Sequence, residues 1–170
     1  MIRLIAAMDA NRGIAGDHGI PWQGRLPTDA KYFRDQTEVG AIVMGFGTYS
    51  EFSQPIHHRT NFVLAREGTP LRPGFAAVAD LEAFFAGRAH EVVWVVGGAG
   101  LYAQSIASAD ELYVTQLEAE FECTKFFPEF DGEFTEMADG PPRFENDIPF
   151  RFQIWQRNAE RPQPSATPIG

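Results

Sequence analysis

Runs of apolar residues, separated by polar and glycine-containing segments, divide most of the chain into short strands and helices. Residues 92–98 read VVWVVGG, a continuous apolar run that is typical of a parallel strand buried on both faces. Residues 150–157 alternate instead, with apolar side chains at even positions and polar ones between them up to residue 154. This period of two predicts a strand with one buried face.

The other elements follow from the same patterns, with Pro27 suited to a first helical turn and Asp80 to an N-cap. Strands are predicted at 2–8, 41–45, 61–65, 75–78, 111–117 and 135–138, and helices at 27–37, 48–52, 81–85 and 101–107. Strands that alternate with helices predict an α/β fold. We expect a mixed, mostly parallel central β-sheet with an antiparallel C-terminal edge strand, flanked by about four helices.

Two segments lack a predicted element. Residues 9–25 contain four glycines and a proline, which is too many for a regular element, and long loops inside compact domains are usually functional. Residues 159–170 hold three prolines and no core residues, so we expect a disordered tail. Residues 1–158 are predicted to form a single domain, since no linker or repeat interrupts them.

Composition limits the classes of function. The chain has a single cysteine, and its N-terminal apolar run is too short for a signal peptide, so we expect a cytoplasmic protein. The net charge of −9 disfavours nucleic acid and anionic membranes as partners. An anionic small molecule would need the few cations gathered at its site. No coiled-coil heptad indicates a partner chain, so we expect a monomer.

The predicted helix at 27–37 places Asp29 and Phe33 four residues apart, on one helix face. The carboxylate of Asp29 could accept two parallel hydrogen bonds from an amidine-like edge, while Phe33 packs on the rest of a flat ligand. The alternative is structural: Asp29 suits the positive end of a helix, and Phe33 belongs to the core.

Two strand–glycine–helix turns are candidate phosphate sites. Gly98, Gly100 and Ala103 match the G-x-G-x-x-A spacing, and amides at a helix start can cradle a phosphate. Gly45 and Gly47 follow another strand. Together the turns could hold two parts of a dinucleotide; otherwise they only pack helix on strand.

Arg59 and Arg66 flank the strand at 61–65 and are candidates for anionic groups, with solvated surface charge as the alternative. The histidines and the cysteine show no zinc spacing, so we predict no metal. Nucleophile and Walker motifs are absent from the sequence. Redox chemistry fits a site with one carboxylate, because a cofactor supplies the reactive group.

From residue 2 to about residue 157 the chain resembles the dihydrofolate reductase family. The resemblance rests on the order and spacing of several segments: IAAMDANRGIAGDHGIPW, LPTDAKYFRDQT, IVMGFGTYSEF, HRTNFVLAR, VVGGAGLYAQ, LYVTQLEAE and FFPEF. It implies reduction of 7,8-dihydrofolate to tetrahydrofolate by hydride transfer from NADPH. A pyrimidine reductase of the riboflavin-pathway type and a non-catalytic binding homologue are the alternatives.

The same resemblance implies roles for individual residues. Asp29 anchors the pterin, Thr115 shares its hydrogen-bond network and Trp22 holds a water. The other expected substrate contacts are Ile5, Ala6, Phe33, Arg34, Ile56, Arg59 and Val96. The expected cofactor contacts are Ala7, Ile14, Ile20, Gly45, Phe46, Gly47, Thr48, Leu64, Arg66, Gly97, Gly98, Ala99, Gly100, Leu101, Tyr102 and Gln104.

Several positions depart from the family. An arginine that meets the 2′-phosphate of the cofactor is common where this chain has Phe46, and a second cation where it has Gly100. Arg66 remains, so we expect NADPH to be preferred over NADH by a reduced margin, with use of NADH possible. Residues 123–125 read CTK where Gly-Asp-Thr is frequent, in a segment that braces the lid. The resemblance implies that this lid is the part of the loop from Asp9 to Gln23.

Overall fold

The computed structural model describes residues 1–159. Its strands are Ile2–Met8 (β1), Gly13–Ala15 (β2), Ala41–Gly45 (β3), Thr60–Leu64 (β4), Phe75–Val78 (β5), Val93–Val95 (β6), Glu111–Leu117 (β7), Lys125–Phe126 (β8), Phe134–Asp139 (β9), Arg143–Glu145 (β10) and Ile148–Arg157 (β11). Its helices are Pro27–Gln36 (α1), Phe46–Glu51 (α2), Leu81–Ala86 (α3) and Ala99–Ser105 (α4), and a 3₁₀ turn, Ile106–Ser108, follows α4.

One nine-stranded sheet organises the fold, in the order β10-β11-β7-β1-β6-β3-β4-β5, with β9 also paired to β11. The strands from β7 to β5 are parallel, and β11 runs antiparallel to β7. The fold class predicted from the sequence is therefore confirmed, including the antiparallel C-terminal strand and the four helices.

Alternating residues of each central strand contribute to two apolar layers, because successive side chains point to opposite faces of a sheet. Leu4 belongs to the layer that also contains residues of α3 and α4, whereas Ile5 belongs to the layer that contains residues of α1 and α2. Strands β3 and β6 are adjacent and parallel, so the glycine turns that follow them lie at the same edge of the sheet.

Several local predictions are corrected. The loop at 9–25 was expected to lack regular structure, but it contains β2, which pairs with the unpredicted strand β8. This pairing depends on residues over a hundred positions apart, so local composition does not reveal it. The first helix ends at Gln36, and the fourth begins at Ala99 and becomes a 3₁₀ turn after Ser105.

The N-cap at Asp80 is confirmed, because its carboxylate accepts a hydrogen bond from the Ala83 amide at 2.9 Å. Most of the tail expected to be disordered, from residue 160 onward, lies outside the described residues. Within residues 1–159 we find no helix with the length and apolarity needed to cross a bilayer.

Candidate active site

A carboxylate and a hydroxyl meet between helix α1 and strand β7. The Thr115 hydroxyl donates a hydrogen bond to Asp29 Oδ1 over 2.6 Å, and Thr115 itself is buried. Burial of Asp29 raises the pKa of its carboxyl, and the negative charge of Glu145 raises it further, while the Thr115 hydrogen bond opposes both effects. Asp29 therefore holds a proton more readily than an exposed aspartate, and it is placed to accept donors from a ligand.

Helix α1, strand β1 and two segments outside the regular elements contribute to the apolar layer that contains Phe33. Phe33, one turn after Asp29 on α1, packs in the same layer as Ile5 of β1 and, beyond them, Ile56 and Val96. Tyr32 stacks on Phe152 of β11 with ring centroids 3.9 Å apart, which fixes the helix against the sheet. Phe33 thus packs against the core, as the structural interpretation predicts. It also lies one helical turn from Asp29, so this position does not conflict with a ligand contact.

Two predicted substrate residues differ in position along β1. Ile5 lies in the layer below α1, whereas Ala6 lies in the opposite layer with residues of α4. Ala7 returns to the first side and packs with Trp22, which is buried. A role for Ala6 toward a ligand beside Asp29 would therefore depend on its backbone.

An open cleft of about 400 Å³ adjoins this surface, lined in part by Arg34, Ile56 and Arg59. Arg59 Nε donates to the Thr37 carbonyl at 2.8 Å and Nη1 to the His57 carbonyl at 2.7 Å. Its Nη2 donates to the backbone of Arg34. The guanidinium is thus held by carbonyls at the end of α1, with its positive charge at the cleft.

The two glycine turns contact each other through the backbone. The Gly45 amide donates to the Gly97 carbonyl at 2.7 Å, and the peptide between Gly97 and Gly98 is cis. A Cβ added to Gly98 would lie 3.6 Å from the Thr48 hydroxyl, and one on Gly97 would lie 3.1 Å from the Tyr102 ring. Glycine therefore leaves room here for another molecule to approach the backbone closely.

Helix α4 is anchored just beyond this turn. The amides of Leu101 and Tyr102 both donate to the Gly98 carbonyl at 3.0 Å. The Tyr102 hydroxyl donates to the Ile5 carbonyl at 2.6 Å, which links the glycine turn to the strand below Asp29. Ala99 and Leu64 pack against the core layer at the same side.

Few polar contacts surround the outer end of the two glycine turns, which is formed by Phe46, Gly47 and Gly100. Phe46 is 49% exposed and its ring is tilted against Tyr49 at 5.4 Å. Gly47 and Gly100 are open, with no atom within 4 Å of an added Cβ. Gln104 donates to the Gly100 carbonyl within its own helix.

Arg66, exposed, follows β4, whose last residue Leu64 is in register with Gly45. A cation thus lies two residues beyond the position that pairs with Gly45 of the second glycine turn. Residues 1–159 contain no group of three His, Cys, Asp or Glu side chains arranged to hold a metal ion.

The loop at 9–25 is braced at its base by Asp9, which sequence reasoning did not identify. The buried Asp9 carboxylate accepts hydrogen bonds from the amides of Gly13 and Phe121, at 2.7 and 3.0 Å. Trp22 packs edge-on against Phe121 at 5.1 Å. A carboxylate directly after a strand and four residues before a glycine is a usable sequence signal for such a turn.

The segment at 123–125, which reads CTK, contacts the loop at 9–25. The Thr124 amide donates to the Ala15 carbonyl at 2.9 Å, and its hydroxyl donates to Asp17 at 3.1 Å. Along the loop Ile14 is buried, whereas Ile20 is 39% exposed. Thr124 therefore joins this segment to the loop through its amide and its hydroxyl.

Comparisons with known proteins agree on one family. The sequence model of the family described as dihydrofolate reductase matches residues 1–157. The dihydrofolate reductase of Bacillus subtilis (strain 168) is 38% identical, over 77% of this chain and 77% of the relative. That of Drosophila melanogaster is 32% identical, over 92% and 97%.

Among solved structures, the chain is similar to dihydrofolate reductase from Enterococcus faecalis complexed with NADP(H) and RAB-propyl. The TM-score is 0.82 at 27% sequence identity, and the match covers 93% of this chain and 96% of that one. Both the sequence and the backbone thus point to the same family.

Proposed function

This chain belongs to the dihydrofolate reductase family, and we therefore propose that it reduces 7,8-dihydrofolate to 5,6,7,8-tetrahydrofolate with NADPH, as an oxidoreductase that supplies one-carbon metabolism. The observation that supports this most directly is the hydrogen bond between Thr115 and Asp29, beside the apolar surface of Ile5 and Phe33. A flat, nitrogen-rich ring can pack on such a surface while its polar edge meets the carboxylate.

Asp29 is the residue that orients the pterin. Its carboxylate accepts hydrogen bonds from the 2-amino group and N3, and charge-assisted hydrogen bonds of this kind are stronger than neutral ones. The contact polarises the ring and makes N5 more basic. Trp22, with its water, and Thr115 complete the network, and a water admitted under the loop at 9–25 delivers the proton to N5.

The cleft beside Ile56 takes the remainder of the substrate. Phe33 packs on the aminobenzoyl ring, Val96 borders it, and Arg59 pairs with the α-carboxylate of the glutamate with help from Arg34. The backbone hydrogen bonds of Arg59 support this role, because they hold the guanidinium in place before the substrate arrives. Positioning of this kind lowers the barrier by orienting the reactants.

The glycine turns fit a dinucleotide. Amides at the start of α2 and α4 suit a pyrophosphate, as do the Thr48 hydroxyl and the space beside Gly98. When bound, NADPH supplies the hydride that C6 of the pterin receives. The loop with Ile14 and Ile20 closes over the nicotinamide and excludes water, while Ala7 and Tyr102 border the same side.

The finer assignments belong to the same proposal. Residues 1–158 form a single domain, because the nine-stranded sheet includes both β1 and β11. The chain is a cytoplasmic monomer without nucleic acid or membrane partners. Its lone cysteine, Cys123, is free, which agrees with a reducing compartment.

The test is the loss of reduced-nicotinamide absorbance when dihydrofolate is added to enzyme with NADPH, repeated with NADH. Rapid loss with NADPH and slower loss with NADH is the expected result. Equal kcat/KM for the two cofactors would contradict the proposed preference. No loss with either, despite measurable cofactor binding, would overturn the proposed reaction and favour a pyrimidine reductase or a silent binding homologue.

A further inference from the structure

A tight turn fixes the position of Glu145, a residue to which neither motif nor family resemblance assigned a role. Asn146 and Asp147 have φ angles of 47° and 63°, and two consecutive positive φ values define the type I′ turn that joins hairpin strands. Glu145 and Ile148 form the register pair at the base of this hairpin. The side chain of Glu145 therefore projects from a well-defined backbone.

Glu145 contacts the start of the helix that carries Asp29. One carboxylate oxygen accepts a hydrogen bond from the Thr28 amide at 3.1 Å, and the other accepts one from the Thr28 hydroxyl at 3.0 Å. The N-cap residue of α1 is Leu26, which makes no side-chain cap. Because the first amides of a helix have no partner within it, Glu145 supplies the cap from 117 residues away.

The same hairpin also holds the exit of the loop. Arg25 donates to the Asn146 carbonyl at 2.9 Å, and the Asn146 amide group donates to the Arg25 carbonyl at 2.7 Å. The turn between β10 and β11 thus contacts both Arg25 and Thr28. These contacts hold residues 25–28 in place. This segment joins the loop at 9–25 to Asp29.

We propose that Glu145 is a positioning residue for Asp29, because it fixes the first turn of α1 and places a second negative charge close to the Asp29 carboxylate. This inference rests on the proposed reduction of dihydrofolate. In this role Glu145 does not contact the pterin, but its charge makes the site hold a proton more readily.

The surroundings of Asp29 support an electrostatic effect of Glu145. The charge of Asp29 interacts with Glu145 of the hairpin, Tyr32 of α1 and Tyr102 of α4, and its carboxylate accepts a hydrogen bond from Thr115 of β7. Burial raises the pKa of Tyr32 to about 12 and raises that of Tyr102 as well, so both phenols are neutral at physiological pH. Glu145 is then the charged neighbour that makes protonation of the site easier.

The reaction consumes a proton, so its rate falls as pH rises through the apparent pKa of the occupied site. That apparent pKa belongs to Asp29 and the bound pterin together. A second negative charge beside them favours the protonated state and extends the active range to higher pH. Removal of this charge moves the decline in rate to lower pH.

The experiment compares Glu145→Gln with the control Asp80→Asn, which alters an acidic side chain that caps the remote helix α3. Single-turnover hydride-transfer rates are measured from about pH 5 to about pH 9, a range that brackets the catalytic protonation. We expect Glu145→Gln to be severalfold slower at the alkaline end and little changed at the acidic end. Asp80→Asn keeps the profile of the unmodified enzyme.

A second measurement follows dihydrofolate binding without cofactor by tryptophan fluorescence over the same pH range. In Glu145→Gln, the pH dependence of the dissociation constant shifts to lower pH, as the rate does. Glu145→Ala also removes the helix cap, so it binds dihydrofolate more weakly as well. A profile that is unchanged in Glu145→Gln, or shifted equally in Asp80→Asn, overturns the inference. An unmodified enzyme that never oxidises NADPH instead overturns the proposed function, so the two failures are distinguishable.

Discussion

The two ends of the candidate site are constructed differently. At the Asp29 end, a partly buried hydrogen bond joins two side chains, and a second carboxylate caps the helix that carries Asp29. At the outer end of the glycine turns, an exposed phenylalanine, two open glycines and the exposed Arg66 replace such a network. The Asp29 end would hold a ligand through charged side chains in fixed positions, whereas the outer end would hold it mainly through the shape of the backbone.

This contrast has a consequence for selectivity. A site that must hydrogen-bond its ligand rejects analogues strongly, because its buried polar groups would otherwise remain unpaired. A site formed by backbone amides and an exposed ring accepts related ligands with small differences in affinity. We therefore expect sharp recognition of the pterin and modest discrimination between NADPH and NADH.

The largest effect is expected from Asp29→Asn. An amide lacks the negative charge and turns a donor toward the N–H groups of the pterin, so kcat at neutral pH falls more than about tenfold. Asp35→Asn is the matched control, since Asp35 lies on the same helix and pairs with the exposed Lys31. Unchanged kcat and KM in Asp29→Asn would contradict the role given to this carboxylate.

Gly97→Ala tests the dependence of the other end on its backbone. Gly97 has a φ of 103°, and an added Cβ would meet the Tyr102 ring at 3.1 Å. We expect a loss of roughly 1–3 kcal/mol in unfolding free energy and weaker binding of NADPH and NADH alike. Gly87→Ala, at a residue with a φ of −67°, serves as the control. Thermal unfolding and cofactor titration are the measurements, and full retention of both properties in Gly97→Ala would refute the argument.

Phe46→Arg should raise the preference for NADPH. An added guanidinium at an exposed position pairs with the 2′-phosphate, and exposed ion pairs give up to about 1 kcal/mol, or roughly fivefold. Fluorescence titration of both cofactors measures the ratio of dissociation constants. Phe46→Gln separates loss of the ring from gain of charge. A ratio that stays the same in Phe46→Arg would mean that the phosphate lies elsewhere.

Arg66→Gln is expected to produce the smallest change. Loss of one exposed cation weakens NADPH binding by roughly two- to fivefold and leaves NADH binding unaltered. The effect should diminish as salt is added, because exposed charges are screened. Arg88→Gln, which removes a cation paired with Glu91, controls for total charge. A parallel loss for both cofactors would show that Arg66 does not distinguish them.

Most of the fold could be predicted because apolar periodicity reports burial directly. The continuous run that became β6 and the alternating residues of β11 both appear in the sheet where their patterns indicate. Boundaries were less accurate, since Phe46 and Ala99 join helices through glycine-rich turns with weak local preference. Strand β2 was missed because its stability comes from a partner far along the chain.

In the candidate site, too, some residues could be predicted from the sequence and others could not. The spacing of Asp29 and Phe33 predicted that they share one helix, and the structure places both on α1, with Phe33 in the apolar layer of Ile5. Asp9 and Glu145 were missed because each contacts a distant segment: Phe121 for the first and Thr28 for the second. Such contacts leave no periodic signal, and a short turn with two positive φ values is hard to predict without a glycine.

Strand β1 has a consequence for how the protein reaches its fold. It precedes both of its partner strands in the chain, yet it lies in the middle of the sheet between β6 and β7. Its residue Arg3 pairs with Glu111, 108 positions later. Contacts this distant in sequence slow folding, so β1 must stay unpaired until β6, whose Val93 is in register with Ile2, has been synthesised. Chaperone dependence during translation should therefore concentrate on this N-terminal apolar strand.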